Sequence, residues 1–295
     1  MTTNKTKQKR YMDLVNKRKN CIKCNNNIIA SMVNISNIPI LNKNNRYDIE
    51  HIGPWSCWQG NLDSNVLIVG NDWMSIEYLD RNKKFYEKNI CRTDQTNKKI
   101  VKYVNDSIFK EKKMSLPRST CNNNEIFMTQ AVLCLKNKKI ETNEPWPHDK
   151  TAPRECFNNC SEFLKDTIEI IFPRDEEKLY GAVVTLSRCS TEIVLNMYYN
   201  ELKKNGWAKK IELLNFNFEQ SIDSSDFTMT NNILNKLIVI SDIGIPLYNN
   251  IRLFPMQHPS RDCANRSKIE KVKQERGFWA RQVEKDWEKI GNYLG

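Results

Sequence analysis

Four short apolar runs, rich in β-branched residues, interrupt an otherwise polar chain. They are VLIVG at 66–70, EIFMTQAVL at 125–133, YGAVVTLS at 180–187 and KLIVIS at 236–241. A short continuous apolar run is typical of a strand that is buried on both faces of a parallel sheet. The pattern therefore predicts four central strands.

Helical periodicity is found between and after these runs. The clearest repeat ends at Pro173 and consists of Cys160, Phe163, Leu164, Thr167, Ile168 and Ile171. This spacing places the apolar residues on one face of a helix. A second helix is predicted at 190–204, and a C-terminal helix uses Trp279, Val283, Trp287 and Ile290 as its apolar stripe. Strands alternating with helices predict an α/β fold, in which ligands bind beyond the carboxyl ends of the strands.

Composition narrows the class of protein. With 295 residues, 39% of them hydrophobic, the chain can bury a core, which excludes a fully disordered protein. The 46 Lys+Arg exceed the 35 Asp+Glu by 11, and this net charge favours polyanionic partners. Segment 1–23 is a basic arm that either lies along phosphates or is solvated. Because no apolar run approaches the roughly 20 residues of a membrane span, and no apolar segment follows the basic N-terminus, we expect a cytoplasmic protein without membrane contact.

Several catalytic motifs are missing from the sequence. His51, His148 and His258 do not form a close-set zinc motif, and the nine glycines form no nucleotide-binding fingerprint. Two polar groups remain where the predicted sheet would place a ligand. Asn71-Asp72-Trp73 follows the first strand, with a helix N-cap as the alternative role for Asp72. His258-Pro259-Ser260 follows a further apolar segment, with a structural role as the alternative for the histidine.

The cysteines suggest a metal site. Cys21 and Cys24 form a CxxC pair, Cys134 follows the second strand and Cys160 opens the amphipathic helix. Four thiolates suit zinc or an iron-sulfur cluster, although Cys134 and Cys160 can equally be core thiols. The remaining cysteines are interpreted as core thiols: Cys57, Cys91, Cys121, Cys156, Cys189 and Cys263.

Taken in order, these motifs resemble the uracil-DNA glycosylase superfamily, most closely its iron-sulfur branch, family 4. The matching segments are CIKC at 21–24, WQGNLDSNVLIVGND at 58–72, MTQAVLC at 128–134, CSEFLKDTIEIIFP at 160–173, YGAVVTLS at 180–187 and IRLFPMQHPS at 251–260. The resemblance implies a three-layer α/β/α sandwich with a central, mostly parallel four-stranded sheet. It also implies a single domain over 1–295, with the basic arm at 1–23 and a C-terminal helix at 266–294, acting as a monomer on DNA.

The same resemblance assigns a cofactor. Cys21, Cys24, Cys134 and Cys160 look like the ligands of a structural four-iron four-sulfur cluster, with zinc as the less favoured metal. Cys160 is preferred over Cys156 because it keeps the family's distance to the helix-ending proline.

The resemblance also assigns catalytic roles. Asp72 would orient water at C1′ and stabilise the oxocarbenium-like sugar, and His258 would donate a hydrogen bond to the departing base. Since no lysine occupies a comparable motif position, we expect a monofunctional DNA glycosylase that uses water and leaves an abasic site.

The base pocket departs from the family pattern. Gln130 stands where the family has an asparagine that reads uracil. The family's stacking loop is missing, so Trp73, Phe85 or Tyr86 could stack on the base instead, with ordinary packing as the alternative for each. Asn71 and Trp73 are assigned to the base pocket together with Gln130. Ser260, Arg261 and Arg266 are assigned to DNA, the arginines through phosphates. We therefore expect uracil or a modified base, such as a modified cytosine of phage DNA, as the substrate of a repair or antiviral defence enzyme. The alternatives are a DNA-binding module without chemistry and a zinc-stabilised one.

Overall fold

A computed structural model describes most, but not all, of the chain. The described residues are 2–24, 30–34, 61–72, 75–77, 95–108, 126–147, 150–176, 179–259 and 276–295. Trp73, Ser260, Arg261 and Arg266 lie outside the described residues, so their assigned roles stay predictions. The chain divides into two compact units. Unit 1 comprises Met1–Cys91 and Pro117–Pro173, and unit 2 comprises Arg92–Leu116 and Arg174–Gly295.

The described elements alternate between helix and strand. The helices are α1 (Thr2–Lys19), α2 (Gln95–Tyr103), α3 (Arg154–Ile171), α4 (Arg188–Met197), α5 (Tyr199–Lys204), α6 (Trp207–Glu212), α7 (Phe218–Asp223), α8 (Asn231–Ile240) and α9 (Arg276–Leu294). The strands are β1 (Ala30–Val33), β2 (Val66–Asp72), β3 (Ile126–Val132), β4 (Leu135–Lys139), β5 (Tyr180–Thr185), β6 (Ile245–Tyr248) and β7 (Asn250–Pro255). A π-helical turn, Val104–Ile108, continues α2.

Unit 1 is built on the parallel pair of β2 and β3. Their register aligns Val66 with Ile126, and both strands are almost entirely buried. Helix α3 packs on β3, with its predicted apolar stripe buried, and α1 packs on α3. The ring of Tyr11 on α1 meets Phe127 of β3 edge to face, with centroids 5.7 Å apart. Strands β1 and β4 form a separate antiparallel pair.

Unit 2 contains the strands β5, β7 and β6, in that order. β5 and β7 are parallel, and β6 returns antiparallel to β7 through a turn at Asn249, whose φ is 45°. Helix α9 buries Val283, Trp287 and Ile290, which confirms three positions of the predicted stripe. The ring of Trp287 stacks on Tyr103 with centroids 5.5 Å apart.

Both units combine parallel strands with helices, and β6 adds an antiparallel strand, which confirms the α/β class. Three of the four predicted strands are present, as β2, β3 and β5. The prediction of a strand at 236–241 is wrong, because these residues end helix α8. The Thr230 side chain caps this helix by accepting from the N–H of Ile233. Leu234 and Leu237 are buried, whereas Val239 is exposed, so the run has one buried face, as in a helix.

The basic N-terminal segment forms α1. Tyr11, Leu14 and Val15 are buried along one side of this helix. Two of its basic residues, Lys7 and Arg18, are also buried. The Lys7 ammonium donates to the carbonyl of Ile171 at the end of α3, at 3.1 Å, so this charge stabilises the fold. None of the described helices combines the length and the apolar character that crossing a membrane requires.

Candidate functional site

Asp72 is the last residue of β2 and lies at the carboxyl end of that strand, as expected. Its side chain is only 8% exposed. Oδ1 accepts a hydrogen bond from Lys136 Nζ at 2.5 Å, and Oδ2 accepts one from the backbone N–H of Ala152 at 2.9 Å. Both carboxylate oxygens therefore have a donor, and the orientation of the group is fixed.

Lys136 is a site residue that the sequence motifs did not identify. It lies on β4, its side chain is 2% exposed, and its ammonium also donates to the carbonyl of Lys150 at 2.7 Å. A buried ammonium is stable only with such acceptors around it. The single signal in the sequence is a lysine directly after the apolar stretch AVLCL, and nothing local indicates that its partner lies on β2.

Burial raises the pKa of the Asp72 carboxyl above its ordinary value, because the charged form loses its hydration. The Lys136 ammonium and the Ala152 amide act in the opposite direction by stabilising the carboxylate. Lys136 thus favours the ionised form of a carboxyl whose burial favours the neutral form.

Gln130 lies close to Asp72 in unit 1. It pairs with Gly70 across β2 and β3, and Asp72 pairs with Val132 two positions further on. Because side chains alternate along a strand, Gln130 and Asp72 project from the same face, about 7 Å apart along the strands, whereas Asn71 projects from the other. The structure brings together the predicted base-reading and water-positioning side chains.

The amide of Gln130 lies directly over Gly70. A Cβ at Gly70 would fall 2.1 Å from Gln130 Oε1, so only glycine leaves room for this arrangement. Oε1 is buried and has no hydrogen-bond partner among the described residues. A buried acceptor of this kind is costly unless a ligand supplies a donor.

His258 follows β7 in unit 2 and is half-buried. The segment around it is tied down at three points. The N–H of Met256 donates to the carbonyl of Thr185 at 2.8 Å, and the Gln257 amide donates to Asn235 Oδ1 at 2.6 Å. Lys99 Nζ donates to the carbonyl of Pro259 at 2.6 Å. The histidine is therefore presented from a fixed backbone.

The predicted cysteine ligands converge in unit 1. The loop with Cys21 and Cys24 docks on α3, where Lys23 pairs with Glu162 at 3.1 Å and the Asn159 amide donates to Cys24 Sγ at 3.5 Å. Cys134 lies near enough to Cys21, Cys24 and Cys160 for their charges to raise its pKa.

A fifth thiol belongs to this group. Cys156, interpreted from sequence as a core thiol, precedes Cys160 by one turn of α3 and forms a hydrogen bond with Cys24. That bond lowers the pKa of Cys24 to about 7 and raises the pKa of Cys156. The i, i+4 spacing from Cys160 was the available signal, since it places both thiols on one helix face.

Burial and mutual repulsion oppose ionisation of the thiols, and one buried cation acts against both effects. Burial, with neighbouring thiols, raises the pKa of Cys134 and Cys160. The buried Arg18 guanidinium lowers both pKa values, and burial lowers its own. An arginine buried beside thiols would stabilise them as thiolates, the form that binds metal.

These residues fit an iron-sulfur cluster by their chemistry. Among the residues that the structure describes, no three His, Cys, Asp or Glu side chains are close enough to hold one metal ion. A zinc site needs all its sulfurs at about 2.3 Å from one centre. A four-iron cluster binds each thiolate at a separate iron, so its ligands are more widely spaced. Cys21, Cys24, Cys134 and Cys160 would hold it, with Cys156 alongside.

Neither the comparison with protein-family models nor the comparison with curated proteins finds a match to this chain. The resemblance to uracil-DNA glycosylases therefore rests on the motifs of this sequence alone.

We predict that the buried ion pair contributes strongly to stability. Lys136→Met removes the countercharge of the buried Asp72 carboxyl and the donor to Asp72 Oδ1 and to the Lys150 carbonyl, so the free energy of unfolding should fall by about 3–5 kcal/mol. Lys139→Met on the same strand removes only an exposed pair with Glu144, 3.5 Å apart, and should cost about 0–1 kcal/mol. Urea denaturation measures both. Equal losses in the two variants would contradict the assignment.

We also predict an iron-sulfur chromophore. Protein purified without oxygen should be brown and contain iron and inorganic sulfide in equal amounts. Serine substitutions at Cys24, Cys134 or Cys160 should abolish the visible absorption, because each removes a cluster ligand. Cys189→Ser on α4, buried away in unit 2, is the matched control and should keep the colour. A colourless protein containing zinc would refute the cluster.

Proposed function

We propose that this protein is a monofunctional DNA glycosylase with a uracil-DNA glycosylase-like α/β/α fold. It would flip a base out of DNA and hydrolyse the N-glycosidic bond, leaving an abasic site. One observation carries the proposal. Asp72 and Gln130, to which the motif resemblance assigns water and base, project from the same face of β2 and β3 near their carboxyl ends.

The chemistry assigned to Asp72 is compatible with its contacts. Each carboxylate oxygen accepts up to two hydrogen bonds, and each carries one from the protein. A remaining position is available to orient water toward C1′. The negative charge, buried and fixed, would stabilise the positive charge that develops on the sugar.

Gln130 supports the reading of a base. Its Oε1 has no donor among the described residues, and uracil N3–H or the exocyclic amino group of a cytosine can supply one. The flat surface that Gly70 leaves beneath the amide gives the longer glutamine side chain room to lie against the strand. These features support uracil or a modified cytosine as the substrate class.

His258 is the second residue to which the motif resemblance assigns a catalytic role. In the proposed reaction, its ring would donate a hydrogen bond to the base as negative charge develops there, an interaction that is strongest in the transition state. The three backbone and side-chain anchors around it would hold the ring in place without cost at the moment of reaction.

A second candidate is a DNA-binding module that lacks the chemistry. The observation in its favour is that both oxygens of Asp72 are already engaged by the protein, as in a purely structural ion pair. The net charge of +11 fits DNA binding in either case.

The experiment that decides between them uses oligonucleotides carrying uracil or one of several modified cytosines, followed by alkaline cleavage of abasic sites. Wild type should break the strand at one base. Asp72→Asn and His258→Ala should each lower the single-turnover rate by roughly 10²–10³-fold. Asp242→Asn, an exposed carboxyl, is the control and should change nothing. DNA binding without breaks on any oligonucleotide would favour the binding module.

A further variant tests the base-reading role. Gly70→Ala places a methyl group where the Gln130 amide lies, so kcat/KM should fall by about 10- to 100-fold as the displaced amide loses its contact with the base. Affinity for undamaged DNA should be unchanged. Adding Gln130→Ala to Gly70→Ala should cause no further loss, since both act on one contact. Independent, additive losses would argue against the pairing of these residues.

A further inference from the structure

We propose that Lys136 is a positioning residue of the glycosylase reaction, whose ammonium, in contact with Asp72, keeps that carboxylate ionised and aims it at the substrate. This inference rests on the function proposed above and adds a residue that the motif resemblance does not include. It concerns a contact between two strands that are far apart in the sequence.

Hydrogen-bond donors lie at both oxygens of the Asp72 carboxylate. Lys136 Nζ lies 2.5 Å from Asp72 Oδ1, and the N–H of Ala152 lies 2.9 Å from Oδ2. Donors at both oxygens fix the plane of the carboxylate, which a single donor would leave free to rotate. A water bound at a remaining acceptor position would then have a defined direction.

The positive charge of Lys136 lies against the buried Asp72 carboxylate. In the part of the chain that the structure describes, the charged side chain that contacts Asp72 is that of Lys136, and the other contact is the neutral amide of Ala152. Burial alone favours the protonated acid. Without the ammonium, Asp72 would lose the negative charge that the proposed reaction requires.

The backbone at Lys136 is paired with two other segments of the chain. β4 pairs with β1, where Lys136 aligns with Met32, and Ser75 forms a parallel bridge to Lys136 from a different segment. A side chain on a strand held by two neighbours loses little further freedom when it orients a reacting group.

The contacts of the ammonium indicate positioning and not attack. Two acceptors, Asp72 Oδ1 and the carbonyl of Lys150, bind the ammonium, and an ammonium has no lone pair. In the proposed step, the water oxygen bonds to C1′, the C1′–N bond breaks with its electron pair on the base, and Asp72 takes the water proton. Lys136 forms no covalent bond.

Lys136→Gln and Lys136→Arg test the proposal, with rates measured in single turnover as a function of pH. Lys136→Gln should lower the rate at neutral pH by about 100-fold and shift the acid limb of the profile to higher pH, because loss of the ammonium raises the pKa of Asp72 further. Affinity for undamaged DNA should stay within about threefold. Lys136→Arg should keep the acid limb in place and recover part of the rate.

Three results of the kinetic and trapping experiments would overturn the proposal. One is a slower Lys136→Gln enzyme with an unshifted pH profile, which indicates a structural role. Another is a covalent DNA complex that borohydride traps in wild type but not in Lys136→Gln, which makes Lys136 a nucleophile. The third is a wild-type rate in Lys136→Arg, which excludes fine positioning of the Asp72 carboxylate by Lys136. This variant also serves as the test if Lys136→Gln does not fold.

An infrared measurement separates this proposal from the function itself. The difference spectrum between Lys136→Gln and Lys136→Gln with Asp72→Asn should show a protonated carboxyl band at neutral pH. The corresponding wild-type difference should show a carboxylate. If no oligonucleotide is cleaved, the proposed glycosylase function is wrong. These spectra still report whether Lys136 keeps Asp72 ionised. A carboxylate band in the difference spectrum of the two Lys136→Gln proteins would overturn the role of Lys136.

Discussion

The contact between Asp72 and Lys136 joins the end of β2 to β4 inside unit 1, where both charged side chains are buried. Burying one of these charges without the other would cost free energy of folding. The pair is tolerated because each charged group also has a second hydrogen-bond partner in the protein. The carbonyl of Lys150 and the amide of Ala152 belong to the segment that leads into α3. One buried interaction therefore connects the end of a sheet strand, the antiparallel pair and the start of the main helix.

A second electrostatic constraint acts at the cysteines. Burial raises the pKa values of Cys134 and Cys160, and repulsion between neighbouring thiolates raises them further. Arg18 reduces this repulsion, and it does so from a helix whose buried residues also include the apolar Tyr11, Leu14 and Val15. The N-terminal helix is thus held by apolar packing and by the Lys7 contact with Ile171, and it contributes the Arg18 charge at its end. Both constraints act within unit 1 and use residues far apart in the sequence.

Sequence periodicity predicted those parts of the fold that local packing determines. The stripe from Cys160 to Ile171 and the buried runs of β2, β3 and β5 are properties of single segments, and they form as predicted. The run at 236–241 was misassigned because a short apolar segment fits a strand or a buried helix equally well. Lys136 and Cys156 were not identified, since a charge pair across 64 positions and a thiol contact between a loop and a helix leave no local pattern.

The short passage from β3 to β4 ends at Cys134, and Lys136 is the second residue of β4. A substitution at the position between them changes one side chain, whereas an insertion or deletion rotates every following side chain of β4 to the opposite face. Such a change would turn the ammonium away from Asp72 and alter the reach of the thiol at the same time. Over evolutionary time, this passage should tolerate changes of residue type more readily than changes of length.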